Sequence, residues 1–254
     1  MKKSTFSLSL LALVSVTTFA QSLPTDPNAK ITAGVLATFG SNGYAVDDKV
    51  SAVPLVLYDN NRLYAEGAEF GVFPYKDNKN WLKVGLTYDS TSFNPKDANT
   101  PALHSLDKRK SSVNAHISYM HITPVGGFEV KAMTDVLSHS SGQKITLAHR
   151  SKFELLDEKL TIYPKFGVTW QSDKYNEYYY GVSADESARS GIRQYTLKDS
   201  IAPFVAISAK YKINEQWGLF GNQNAQWLSS DQKNSPLTDD NINLSTNVGV
   251  TYTF

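Results

Sequence analysis

Cysteine is absent from all 254 residues. No disulfide can form, the lipoprotein route is closed, and zinc sites built on thiolate are excluded. Charge of one sign is also lacking: 25 Lys and Arg stand against 24 Asp and Glu, so the basic footprint that nucleic acid requires is missing. Beyond residue 20, nothing in the sequence approaches the ~18 apolar residues of a membrane helix, and mean hydropathy is −0.33. No charge block, Pro-rich run or Gly/Ser linker divides the chain, so residues 21–254 read as one domain.

The first twenty residues differ from the rest. Lys2 and Lys3 give a positive start, Phe6–Val16 is apolar, and Thr18-Phe19-Ala20 places small residues before a cleavage point. This pattern reads as a secretory signal peptide over 1–20. An exported chain without apolar helices is either a water-soluble protein or a membrane β-barrel. Barrels look hydrophilic on average because only alternate strand residues meet lipid.

Alternation is what the sequence does have. In LSTNVGVTYTF, Leu244, Thr246, Val248, Val250, Tyr252 and Phe254 form one face, against the small polar face of Ser245, Asn247, Gly249, Thr251 and Thr253. A period of two with one apolar and one small polar face is a strand half in oil and half in water. The terminal Phe fits the sorting signature of bacterial outer-membrane barrels, and the paired aromatics fit an interfacial girdle. The rhythm recurs in Leu160–Trp170, Val113–Tyr119 and Pro203–Tyr211. Periodicity alone fits a soluble sandwich equally well. Signal peptide, absent cysteine, ten-residue strands and the terminal Phe together favour an all-β, antiparallel transmembrane barrel of the outer membrane, in contact with its lipids.

Eleven segments show the pattern: 31–40, 50–58, 62–73, 81–90, 112–121, 127–137, 144–154, 159–171, 202–212, 216–228 and 243–254. A barrel with both ends in the periplasm needs an even number, so twelve strands are expected, with ten as the alternative and the miscount before residue 80. Short turns at 122–126, 155–158 and 213–216 fall on the periplasmic side. The long connections 91–111, 172–201 and 229–242 then fall outside. Lys83, Asp89, Glu129, Lys131, Asp135, Lys165, Lys210 and Lys212 are expected to face the lumen. Two features resist the scheme: Glu66 and Glu69 differ in parity, and His149 lies on a lipid-facing row.

The polar residues contain no convincing catalytic set. Asp135, His139 and Ser141 could be drawn as a hydrolase triad, but SHSSGQK reads better as a polar loop. Ser105-Leu106-Asp107-Lys108 matches S-x-x-K without the partner motifs, and Gly181–Asp185 falls short of a nucleophile elbow. His104, His116, His121, His139 and His149 are scattered, with no pair on one strand face at metal-ligand spacing. No enzyme activity, cofactor or metal is expected.

The stretch YPKFGVTWQSDKYNEYYYGVSADESARSGIRQY, residues 163–195, resembles the MipA/OmpV family of outer-membrane proteins. Pro164, Gly167, Val168, Trp170, Asn176–Ser183, Glu186–Gly191 and Tyr195 carry the likeness. Leu106-Asp107-Lys108-Arg109-Lys110-Ser111 is similar to a second family element, with Lys108 departing from Asp, and Ser235-Pro236 to a third. The resemblance implies a barrel acting as scaffold or adaptor between murein-synthesising and murein-hydrolysing enzymes. Its implied partners are a membrane-bound lytic transglycosylase and a bifunctional penicillin-binding protein. A narrow channel for small solutes and a surface adhesion-related role are the alternatives.

For the tyrosine-rich loop, the expectation is that it folds onto the barrel mouth or into the lumen. Tyr178, Tyr179 and Tyr180 would pack, and Glu186 would pair with Arg189 three residues on. Gly181 and Gly191 would permit bends. With Tyr195, and Arg109 from the second element, these are the loop-packing or binding candidates. A self-packed plug and a sugar- or peptide-binding platform both remain open.

Overall fold

The computed structural model describes residues 22–41, 43–46 and 50–254; the signal peptide expected over 1–20 lies outside the described residues. Thirteen strand segments form one antiparallel sheet that closes on itself. They are β1 (Thr32–Phe39), β2 (Ser51–Asp59), β3 (Leu63–Glu66), β4 (Glu69–Lys76), β5 (Asn80–Asp89), β6 (Ser112–Thr123) and β7 (Gly126–Asp135). The series continues with β8 (Gln143–Arg150), β9 (Phe153–Leu155), β10 (Leu160–Gln171), β11 (Ser200–Lys212), β12 (Trp217–Trp227) and β13 (Ile242–Thr253). β1 pairs with β13 to close the ring. β8 and β9 both pair with β10 and share one position, so the barrel has twelve strands.

The expected segment 62–73 is not one strand. It is the β3–β4 hairpin, turning at Gly67-Ala68 with Gly67 at φ 66°. Glu66 and Glu69 are cross-strand partners on either side of that turn. Both face the lumen, which resolves their parity without a bulge.

Proline marks where the ladder is interrupted, because it has no N–H to donate. Pro74 sits in the register shift between Val72 and Tyr75. Pro164 lies opposite the break between β8 and β9, and Pro203 stands one residue beyond the β11–β12 ladder. Pro54 belongs to the part of β2 above the short β3, whose tip reaches only Val56 through the Gly67 N–H.

Outward rows such as Val35, Leu147, Phe166, Ile207 and Val248 are apolar and exposed, the belt a bilayer covers. His149 is on this outer face, wedged between Phe128 and Phe166 with ring centroids at 4.8 and 5.2 Å. Its Nε2 lies 3.0 Å from Ser151 Oγ. A histidine near the strand end, flanked by aromatics and a hydroxyl, suits the membrane interface.

Candidate functional site

Three layers fill the barrel from one end to the other. At the long-loop end, which faces outward in barrels of this kind, a cap closes the mouth. Its frame is three short helices: α1 (Asp173–Tyr180), α2 (Ala184–Ser190) and α3 (Ser230–Lys233). Serine starts each one. Ser172 accepts from the Tyr175 N–H, while Ser183 with Glu186 and Ser229 with Gln232 form full capping boxes. Gly191, at φ 72°, ends α2 in the left-handed conformation that glycine adopts freely.

A buried aromatic core joins these helices to loops from elsewhere in the chain. It contains Tyr44, Phe93, Tyr175, Tyr179, Tyr180, Val182 and Leu237. Tyr180 stacks on Tyr44 at 5.5 Å, and Tyr175 packs on Tyr179 at 4.6 Å. Every phenol that is buried deeply needs a partner. Tyr44 Oη donates to the Tyr179 carbonyl at 3.0 Å, and Tyr179 Oη donates to the Lys110 carbonyl at 3.1 Å. Tyr178 is less buried; its Oη accepts from the Lys110 N–H at 2.8 Å.

Arg109 is the buried charge of the cap. Its Nη2 lies 2.8 Å from Glu186 Oε1 and donates to the Gly181 carbonyl at 2.9 Å. Glu186 also accepts from the N–H groups of Asp107 and Ser183, both at 2.9 Å. The expected Glu186–Arg189 pair does not form. Glu186 turns back to the N-terminus of α2 as the N3 residue of its capping box with Ser183, which aims it at Arg109. Arg189 points the other way, its Nε on the Ser105 carbonyl at 2.7 Å and its Nη2 2.6 Å from Asp107. Tyr195 ties the far side down, donating to the Asp231 carbonyl at 2.7 Å.

Burial works against ionisation of Glu186, but the two N–H groups and the Arg109 guanidinium hold its carboxyl below the usual carboxylate range. A depressed carboxylate stabilises the fold fully above its unfolded pKa and loses that contribution as pH falls through the lower folded value. Cleavage within 172–199 by an acid-active protease is therefore expected to stay flat from neutral pH down to the ordinary glutamate range, and to rise from there as pH falls toward the lower folded value. In Glu186→Gln the acid-dependent rise should be absent.

Below the cap, the lumen is crossed by ion pairs. Lys131 contacts Glu69 closely, and Lys83 lies 3.1 Å from Glu66 and 4.0 Å from Glu69. Glu129 takes Lys165 at 2.8 Å, and Asp89 takes Lys144 at 2.6 Å. His116 Nε2 lies 2.7 Å from Tyr64 Oη and 3.3 Å from Glu69. These pairs tie β3 through β8 and β10 to one another across the lumen. All the lumen-facing candidates stand on inward positions of the register.

At the short-turn end the barrel opens into a vestibule of about 560 Å³. Thr32, Leu57, Asp59, Glu66, Tyr163, Lys210, Lys212, Phe220 and Thr251 line it. Both the cap core around Tyr44 and Phe93 and this vestibule escaped the sequence reading as sites, although Lys210 and Lys212 were legible as inward-facing.

The polar residues considered for catalysis are spent on structure. Asp135 accepts from the Leu137, Ser140 and Ser141 N–H groups and from Ser112 Oγ. His139 Nδ1 bonds the Ser111 carbonyl at 2.8 Å rather than a carboxylate. Among the described residues no three His, Asp or Glu side chains are grouped to hold a metal ion.

The family model described as "MltA-interacting protein MipA" matches residues 33–254. The chain belongs to the MipA family. The MltA-interacting protein of Escherichia coli (strain K12) is 33% identical over 208 residues, covering 82% of this chain and 83% of that protein. The putative outer membrane protein YiaT of the same organism is 28% identical over 227 residues, covering 89% and 92%. Outer membrane protein OmpV of Vibrio cholerae is 26% identical over 156 residues, covering 61% and 56%. This MipA-family protein is an outer-membrane barrel.

The three sequence blocks that resemble the MipA family meet in the cap. Asp107 and Arg109 of the 106–111 block contact Glu186 and Gly181 of the 163–195 block. Ser235 from the third donates its hydroxyl to the Tyr180 carbonyl at 2.6 Å. In this MipA-family chain, segments about 70 and 130 residues apart thus serve one structure, the roof.

Proposed function

We propose that this protein is a non-enzymatic scaffold of the outer membrane that engages murein-synthesising and murein-hydrolysing enzymes from the periplasmic side. The observation that carries this reading is the asymmetry of the barrel. Among the described residues, its outer mouth is roofed by a buried aromatic core, its middle is crossed by ion pairs, and its short-turn end opens into the vestibule. A barrel built this way offers its accessible interior to the periplasm, where such enzymes work. The name of the Escherichia coli relative, MltA-interacting protein, supports the same reading.

Cross-linking of whole envelopes followed by purification of this protein should recover a membrane-bound lytic transglycosylase and a bifunctional penicillin-binding protein. A blank, with the barrel itself recovered in good yield, would sink the scaffold reading. Reconstitution in a planar bilayer separates it from the channel alternative: the expected trace is silent, and discrete conductance steps would move the assignment to a solute channel.

A further inference from the structure

We propose that the periplasmic vestibule is a receptor site for an acidic, extended peptide segment. The proposal deepens the scaffold reading and rests on it in one respect, that the partner is a periplasmic protein.

The charges of the vestibule do not balance once their existing partners are removed. Asp59 is held by Lys76 Nζ at 2.5 Å. Glu66 is shared by Lys83 at 3.1 Å and Arg150 at 3.8 Å. Lys210 feels the Glu66 charge, but that carboxylate is already occupied. Among the described residues, Lys30, Lys210 and Lys212 have no ion-pair partner, and Glu215 at the rim is the only unengaged acid in the lining. The remaining field is positive. Lys210 projects inward from β11, its Nζ 5.5 Å from the centre of the Tyr163 ring. Lys212 stands two residues nearer the mouth on the same row.

An ammonium group in a partly enclosed lumen gains most from an anion that replaces its lost hydration. The space, at about 560 Å³, is in the ordinary range of ligand sites and far larger than a simple inorganic anion needs. Leu57, Tyr163 and Phe220 supply apolar walls, so the ligand must carry carbon surface as well as charge. Lys210 and Lys212, two apart on one strand face, repeat at the spacing of alternate residues in an extended chain. A peptide with acidic side chains meets all of these requirements.

The test uses the full-length protein folded in detergent, with fluorescein-labelled hexaglutamate as probe and anisotropy as readout. Hexaglutamate should bind, and binding should weaken as salt is raised from about 50 to 500 mM. In the double variant Lys210→Met/Lys212→Met the affinity should fall by about tenfold or more. Labelled hexalysine should not bind, and inorganic phosphate should displace the peptide only at great excess. No binding of hexaglutamate, equal binding by the double variant, or displacement by equimolar phosphate would overturn the proposal. Should the double variant not fold, as judged by its mobility with and without boiling, Lys212→Glu alone at the exposed mouth gives the same reading: weakened binding supports the site and unchanged binding overturns it. These outcomes do not depend on the envelope pull-down. A blank pull-down with tight peptide binding removes the scaffold and keeps the site, and the converse removes the site and keeps the scaffold.

Discussion

Replacing Arg109 with Ala should open the extracellular cap to protease while the barrel stays folded. The guanidinium is almost wholly buried and supplies the charge that Glu186 and the Gly181 carbonyl require. Removing one partner of a buried pair leaves the other charged and dry, at a cost of about 3–5 kcal/mol. Local opening of the cap should then be over a hundredfold more populated, since each ~1.4 kcal/mol is a factor of ten. Cleavage between 172 and 199 should accelerate accordingly, measured on protein whose gel mobility still shifts on boiling. Arg189→Ala is the contrast. That side chain is exposed and pairs with an exposed Asp107, where solvent screens the pair, so its loss should leave cleavage close to that of the parent protein. Equal cleavage of the two variants would refute the assignment of Arg109 as the pin.

Glu69→Gln should lower the temperature at which the folded gel band disappears by about 6–12 °C. Glu69 is where three elements meet in the lumen: Lys131 from β7, Lys83 from β5 and His116 from β6 all reach it. Losing its charge leaves Lys131 with Glu129 at 3.9 Å and Lys83 with Glu66 at 3.1 Å. These residual contacts put the cost near the lower end for a broken buried pair, about 3 kcal/mol. For a domain of this size each kcal/mol corresponds to about 2–4 °C. Adding Lys131→Met should recover much of the loss, because the stranded cation goes with its partner. An unchanged transition in the single variant would show that the network contributes nothing to the closed barrel.

The wall of this protein was legible because every second residue reports its surroundings: Val248 and Val250 meet lipid while Asn247 and Gly249 meet the lumen. The hairpin at 67–68 was hidden by continuity. Residues 62–73 alternate well enough to pass for one strand, and only the clash of Glu66 with Glu69 betrayed the fold-back that Gly67 makes. Helices α2 and α3 carried local signals in Ser183-x-x-Glu186 and Ser229-x-x-Gln232, yet they are shorter than any periodic pattern can reveal. The partners of the cap were beyond reach. Nothing near Tyr44 or Phe93 says that they will meet Tyr180 and Tyr179, since those contacts exist only after the strands between them have closed. Likewise the three-residue spacing of Glu186 and Arg189 suggested a pair, and the capping box sent the carboxylate elsewhere.

The roof draws on residues from the first loop to the last: Tyr44 comes just after β1, and Ser235 and Leu237 come just before β13. It therefore cannot be finished while the chain is still threading into the bilayer. A polypeptide halted before its final hairpin would present Tyr180 and Tyr44 wet and unlatched. Acquisition of protease resistance at the cell surface is thus a clock for completed insertion, and it should start only when the last strand has zipped onto the first.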